Sequence, residues 1–530
     1  MIRTLLMATI GFMASVGIWH GPANAQEESD QRLGTVHFAT SCNETAQRRF
    51  DRAMRYQHSF WYRESKELFE DVLKADPECA IAYWGVGLSL LNNPHAPAPA
   101  GNLPLGLAAV QKGKAVGAKT QRERDYIDAL AVFYSDYDKI THGARVQAYL
   151  KAMEALAQRY SEDDEAQIGY AITLNVAASP NDKTYANQLK GAAILEPIFK
   201  RQPRHPGVAH YLIHLYDYPP IAEKGLVAAK RYAEIAPAAP HAQHMPSHIF
   251  TRVGYWKESI ASNSVAARAA KQGKEFHDQL HAMDYLVYAY LQMAQDKKAE
   301  SVIEEMVTIS GFTETFIPGP YAIAASPVRY VVERGDWKGA AELQVRPSPL
   351  AHVQAITHFG RALGAARSGN LEAASADIAK LAELREKLRE AKDAYWTEQV
   401  DIQWQVATAW LLYAEGKHEA ALKAMSAAAD AEDKTEKHPV TPGVPAPARE
   451  LYGAMLLERG MAEEALAAFE ATLKKEPHRL GATIGAAKAA EKAGDTVKAR
   501  QHYTEGTVLA ESADPVRPDI AYARSFVAKN

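Results

Sequence analysis

The chain is predicted to fold as an all-α, right-handed superhelical solenoid of stacked helix-turn-helix hairpins, and three observations carry that expectation. Val and Ile rarely alternate with polar residues, so strand signals are nearly absent, whereas Ala, Leu, Glu and Lys recur in long stretches with helical period. The segment ARELYGAMLLERGMAEEALAAFEATLKKEP (448 to 477) reads as a helix, a Gly460 turn, a second helix with small Ala465 and bulky Phe469, and a closing Pro477. LGATIGAAKAAEKAGDTVKARQHY repeats it one period later, with Gly494 in the place of Gly460 and Ala499 in that of Ala465. The same punctuation recurs at Gly254/Ser259, Ala294/Ala299, Gly335/Ala340, Gly369/Ala374 and Gly416/Ala421. A glycine there closes the turn between two helices, and the small residue lets them approach.

From the N-terminus, residues 1–25 (MIRTLLMATIGFMASVGIWHGPANA) place Arg3 before an apolar run that ends in Ala23-Asn24-Ala25, a small-x-small signal-peptidase pattern. Export to the periplasm or the medium is expected, with the mature chain starting near Gln26. No later apolar run is long enough to span a bilayer, so the mature chain is expected to have no transmembrane segment. Cys42 and Cys79 are the only cysteines. In an oxidising compartment two thiols are expected to pair, and no C-x-x-C spacing supports a thiolate metal site.

The period from Gly460 to Gly494 and the Gly-x4-small turns resemble the tetratricopeptide-repeat (TPR) family over most of the mature chain. On this reading residues 26–104 are N-terminal repeats, where WYRESKELFEDVLKADPECAIAYWGVGLSLL supplies Ser65, Phe69 and Pro77 and then Ala82, Tyr83 and Gly87. Residues 105–200 are looser helical hairpins, 201–310 a His-rich set of repeats, 311–430 further repeats, 431–447 a Pro-rich loop and 448–530 the C-terminal repeats. A lone hairpin cannot bury its apolar face, so neighbours stack. The resemblance implies that the first helix of each hairpin lines a concave groove, a place where such arrays take peptide, protein or small-molecule partners. Three Pro/Gly-rich stretches, 92–104, 311–321 and 436–448, interrupt the stacking and are candidate lids. The wording of SCNETAQRRFDRAMRYQHSFWY, HMPSHIFTRVGYW and HPVTPGVPAPARELYG is similar to exported bacterial TPR proteins whose role is largely uncharacterised, which supports fold and export but supplies no reaction. In the wider family a clamp of Lys, Asn and Arg grips chaperone tails; the corresponding faces here carry His and Asp.

The chain has 530 residues and a formal net charge of −4, with acidic and basic residues interleaved, so no nucleic-acid partner is expected. No Gly-rich phosphate loop, nucleophile elbow or H-E-x-x-H occurs, so no nucleotide cofactor is expected.

The candidate site lies in the His-rich repeats. HAQHMPSHIF puts His241, His244 and His248 in one first helix at i, i+3, i+7, within about 60° of one another. The repeat before it carries His210 and His214, each one full period ahead of His244 and His248, with Asp217 a turn further on. The repeat after it carries His277, His281, Asp284 and Tyr288, with His281 matching His241. Neighbouring helices pack about 10 Å apart, so these rows can converge. Imidazole suits zinc, copper and nickel, and H-x3-H on a helix brings two nitrogens to one ion.

The expected ligands are His210, His214, His244 and His248. His241 and His281 are expected as further ligands or acid/base groups, and Asp217 and Asp284 as ligands or as carboxylates behind them. Arg252 is expected to orient an anionic substrate or to pair with Asp217; His277 and Tyr288 are further contacts on the same face. Tyr285 and Tyr290 read as repeat core. Outside the rows, His58, His95 and His438 read first as surface or capping residues and second as outer contacts. Six imidazoles suffice for two ions, and ligand number and H-x3-H helices, though not fold, resemble the dinuclear copper sites of tyrosinases and hemocyanins.

Copper or zinc is the expected cofactor. If the chain is an enzyme, it is expected to be a metal-dependent oxidoreductase or hydrolase. The alternatives are a non-catalytic binding scaffold, metal storage or delivery, and a cluster that responds to pH as imidazoles protonate. Pro246, inside the helix, should break it and help aim His244 and His248.

Overall fold

The computed structural model describes residues 32–514 and 517–529; the expected export segment, 1–25, lies outside them. Among the described residues every regular element is a helix, from Glu44–His58 to Pro518–Lys529, and each packs against the next one or two along the chain. The protein is an all-α solenoid of helical hairpins. No helix among the described residues is long and apolar enough to cross a membrane.

The hairpin turns show how the sequence writes this fold. Gly460 sits at φ 76°, in the left-handed region that side-chain-bearing residues enter at a cost. The Met461 amide then turns back to the Leu456 carbonyl at 3.0 Å, and Ala465 packs without exposed surface. Gly254, Gly335, Gly369, Gly416 and Gly494 take the same conformation, and their partners Ser259, Ala340, Ala374, Ala421 and Ala499 are fully buried. Near the N-terminus a disulfide joins Cys42, which precedes the helix Glu44–His58, to Cys79, the N-cap of Ala80–Leu90.

The concave groove that the resemblance implies is filled in the middle of the molecule. The C-terminal repeats fold back on the His-rich ones: the Trp256 indole donates to the His478 carbonyl at 2.8 Å, and the buried Arg479 donates to the Tyr288 hydroxyl at 3.0 Å and to Glu450 at 2.8 Å. The stretch 436–448 enters the remaining space. Its Lys437 pairs with Asp217 at 3.1 Å, its Thr441 carbonyl accepts from the Tyr285 hydroxyl at 3.1 Å, and its Gly443 carbonyl accepts from Arg329 at 2.6 Å. Proline lacks an amide hydrogen, so a Pro-rich segment brings fewer donors that burial could orphan. The histidine rows therefore lie in the interior and not on an open concave face.

Candidate metal centre

Four helices position the histidines. Pro206 opens Pro206–Tyr216, whose N-cap His205 accepts the Val208 amide hydrogen through Nδ1 at 3.3 Å; every residue of this helix is buried, including His210 and His214 one turn apart. Pro240 opens the short helix Pro240–His244, and Pro246 opens Pro246–Arg252. The Met245 backbone between them stays helical, at φ −52° and ψ −36°. Pro246 interrupts the hydrogen-bond ladder, and the His248 amide bonds to the Met245 carbonyl three residues back, at 3.1 Å. The ladder breaks as expected while the path stays helical. His281 comes from the helix Phe276–Gln292.

The six imidazoles form two triads. His210, His214 and His241 bring one ligand atom each within 4.8 Å of one another, and His244, His248 and His281 do the same. His210 Nε2 lies 3.1 Å from both His214 Nε2 and His241 Nε2, and His244 Nε2 lies 3.0 Å from His248 Nε2. The triads adjoin, with the His214 and His248 rings 6.2 Å apart. The two i, i+4 pairs do not meet at one point, as the repeat pattern alone suggested. Each is completed by a histidine of the following repeat, so His241 and His281 hold places equivalent to those of the four expected ligands. The second triad is the first carried one repeat along the solenoid.

Hydrogen bonds fix where the ring protons sit. His210 Nδ1 faces the His58 carbonyl at 2.8 Å; a carbonyl only accepts, so Nδ1 carries the hydrogen and Nε2 is a bare lone pair. His248 Nδ1 faces the Asp217 carboxylate at 2.9 Å, and Asp217 is held ionised by Arg252 at 2.8 Å and Lys437 at 3.1 Å. Burial pushes the Asp217 carboxyl up, but Lys437 and Arg252 overcome this and hold it below its ordinary range. His244 Nδ1 faces Asn263 Oδ1 at 2.6 Å, and the Asn263 amide nitrogen donates to the Ser259 carbonyl at 2.8 Å, which turns its oxygen toward the imidazole. His244 and His248 therefore point two bare Nε2 lone pairs at each other. Burial holds the pKa of His214, His241, His244 and His281 well below the imidazole range, so a proton is poorly held between them.

Asp217 and Arg252 thus lie behind the second triad, Arg252 paired with Asp217. Three residues expected on this face are engaged elsewhere. Asp284 accepts from Ser326 at 3.1 Å and pairs with the buried Arg329, because the helix Pro318–Glu333 packs on that side. Tyr288 donates to Glu476 at 2.9 Å and belongs to the contact with the C-terminal repeats. His277 meets the amides of Thr313 and Gly319 at 3.2 and 3.3 Å, tying down the stretch 311–321.

Other residues take their places. Tyr285, which reads as repeat core, packs its ring 4.8 Å from His244, 5.2 Å from His248 and 5.4 Å from His281. Phe60 lies on the first triad, 4.3 Å from His210 and 5.2 Å from His241, and His95 packs 4.3 Å from His214. The one available signal is for Tyr285, four residues after His281 and so on the same helical stripe. Phe60, Asn263 and Lys437 have no such mark.

A third buried group has similar compactness: His58, Glu165 and His205. His58, which reads from the sequence as a surface or capping residue, is interior because the helix Pro206–Tyr216 packs against the end of its own. His205 Nδ1 accepts an amide hydrogen, so Nε2 carries the ring proton and donates to Glu165 at 2.9 Å; His58 Nε2 lies 3.1 Å from the other carboxylate oxygen. Every polar atom of Glu165 that faces an imidazole is matched.

A cavity of 620 Å³ reaches the triads at His214, His241, His248 and His281. All three Pro-rich stretches wall it, through Asn92–Pro99, Gly311–Pro318 and His438–Val440.

No protein-family model matches the chain, and no curated protein matches it. Among solved structures, that of Naa15/Naa10 bound to HypK-THB is 12% identical, covering 91% of this chain and 73% of that one, at a TM-score of 0.24. An IFIT1 monomeric mutant with Gppp-AAAA is 11% identical over 91% of this chain and 100% of that one, at 0.34. A circular tandem repeat protein with novel repeat topology is 12% identical over 92% and 99%, at 0.14. At these scores the likeness carries no argument about this chain's site.

Proposed function

We propose that this helical-repeat scaffold is an exported metalloprotein that holds two transition-metal ions on its two histidine triads, copper by preference, and works as an oxidoreductase. The observation that carries the reading is the pair His244 and His248: each has its Nδ1 hydrogen committed to an acceptor, and the two remaining Nε2 lone pairs face each other at 3.0 Å. Two lone pairs at that distance repel unless a cation lies between them, and burial disfavours a proton in that role.

The donor set selects the ion. Each triad is all imidazole, which suits copper, zinc or nickel better than the carboxylate-seeking magnesium, calcium or manganese, and copper binds such sites most tightly in the divalent series. Three protein ligands leave a position open to a reactant. Bound copper would supply one-electron and dioxygen chemistry. The chain's own residues bind the ions, fix three of the six rings, those of His210, His248 and His244, through the His58 carbonyl, Asp217 and Asn263, and admit an organic reactant through the 620 Å³ cavity. Export accords with the N-terminal apolar segment and with the bonded Cys42 and Cys79.

Zinc fits the same triads and would make the site hydrolytic. Metal analysis of protein prepared with copper or zinc, beside His214→Ala and His248→Ala, tests the reading. Two equivalents of copper are expected, one being lost in each variant. A parent protein that retains no metal after desalting leaves only the binding scaffold.

A further inference from the structure

Behind Phe60 lies a second cavity of 110 Å³, none of whose lining residues is a triad histidine. Its walls are carbon almost throughout, from Trp84, Leu88, Phe133, Val146, Ile168 and Ile172. At one end His58 engages Glu165 at 3.1 Å and the Tyr211 hydroxyl at 3.1 Å, while the Tyr62 hydroxyl and His142 Nδ1, also in the lining, are buried with no hydrogen-bond partner among the described residues. A space of this size takes nothing larger than a small ring, and away from those two polar atoms its carbon walls have little affinity for water.

Phe60, Tyr62, Asn92 and Ala96 line both cavities, so a layer one residue thick, aromatic at Phe60 and Tyr62, separates the apolar space from the polar one. The Phe60 ring rests on His210, His214 and His241, at 4.3, 5.7 and 5.2 Å. Its backbone holds φ at 60°, a conformation a bulky residue adopts only when its surroundings impose it. What is held in the apolar space is therefore one side chain away from the first triad.

We propose that the apolar cavity behind Phe60 is a binding site for a small apolar molecule, and that in the working protein this molecule is dioxygen, delivered to the His210/His214/His241 triad past Phe60. The assignment to dioxygen rests on the oxidoreductase reading above. Dioxygen is the reactant of such chemistry that is both apolar and small enough for this space. The larger cavity, walled by the Pro-rich loops, is left to the organic reactant. The two reactants would reach the histidines through different cavities, with Phe60 in the wall of both.

Xenon is the probe, because it is apolar and close in size to dioxygen. In the full-length protein, xenon-pressurised crystals are expected to show one xenon atom between Ile168, Ile172 and Phe133, and the filling variants Ile172→Trp and Gly169→Leu are expected to abolish it. With copper bound and ascorbate as the electron donor, the same variants should raise the KM for dioxygen several-fold while copper content and the KM for ascorbate hold. Absence of xenon from the parent cavity overturns the site, whatever the metal content. Xenon binding in a protein that retains no copper overturns the dioxygen assignment alone, through the reading it rests on. If one filling variant misfolds, the other serves. Unchanged dioxygen KM in a folded, copper-loaded variant that has lost xenon overturns delivery by this route.

Discussion

Two buried groups in this molecule look alike by composition and differ in what their hydrogen atoms do. His244, His248 and His281 converge within 4.8 Å, and so do His58, Glu165 and His205. In the second group the donors and acceptors match: Glu165 accepts from His205 at 2.9 Å and engages His58 at 3.1 Å. In the first, acceptors outside the group claim the Nδ1 hydrogens of His244 and His248, and lone pairs face each other. His281 Nδ1 is itself buried with no hydrogen-bond partner among the described residues. Proximity of histidines thus does not make the two groups alike; the supply of ring hydrogens separates them.

The comparison is broken most severely at Glu165. Glu165→Ala removes the only acceptor between two buried imidazoles and should destabilise the protein by about 3–5 kcal/mol, read as a lower urea midpoint. A variant as stable as the parent would mean the group is not the closed structural unit described here. Asp217→Asn comes next. It leaves Arg252 and Lys437 buried against a neutral amide, at a cost of about 3 kcal/mol, and frees His248 to adopt the wrong tautomer. Copper affinity should fall by about 10–100-fold in a chelator competition.

A sharper contrast comes from swapping one histidine in each group for Met, which is flexible and apolar. His281→Met should shift the stability of the metal-free protein by less than about 1.5 kcal/mol, because no hydrogen bond is lost at Nδ1, yet abolish one metal equivalent. His205→Met should cost more, about 2–3 kcal/mol, by orphaning a buried carboxylate oxygen and the Val208 amide, with metal content unchanged. Equal costs for the two would erase the distinction between the groups.

The smallest effect is the pH dependence of the metal-free protein. His214, His244 and His281 have folded pKa values well below 6.5 because they are buried, so the unfolded chain binds protons first as pH falls. Their contribution is full above the unfolded value and declines as pH drops from about 6.5 toward the folded values. Burial pushes Glu165 up, but His58 and His205 outweigh it and hold the carboxyl below its ordinary range. Its contribution is lost only below about pH 4.5. Urea midpoints measured against pH should fall in two stages, and the upper stage should shrink in His281→Met.

Much of this arrangement is legible in the sequence. The repeat spacing places His210 and His214 in register with His244 and His248, and the helical stripe adds His241 and His281. The stripe misleads at Asp284 and Tyr288. Both share the expected face by phase, but the partners that claim them, Arg329 and Arg479, come from other repeats. His277 belongs to the loop it holds. Tyr285 stands four residues from His281, yet an aromatic residue in a repeat helix is ordinarily core, so its phase alone does not bring it to the site.

Sequence alone settles the period of the solenoid, the turns at Gly460 and its equivalents, and the rows of imidazoles, because these depend on residues a few positions apart in one helix or one repeat apart in a regular stack. Tertiary packing is what divides the six histidines into two triads, sets which ring nitrogens keep their hydrogens, and encloses them in proline-rich stretches. The physical reason is that a hydrogen's place on an imidazole is set by whichever acceptor packs against it. Here those acceptors are a carbonyl 152 residues from His210, an amide 19 residues from His244 and a carboxylate 31 residues from His248 that a lysine 220 residues further on keeps charged.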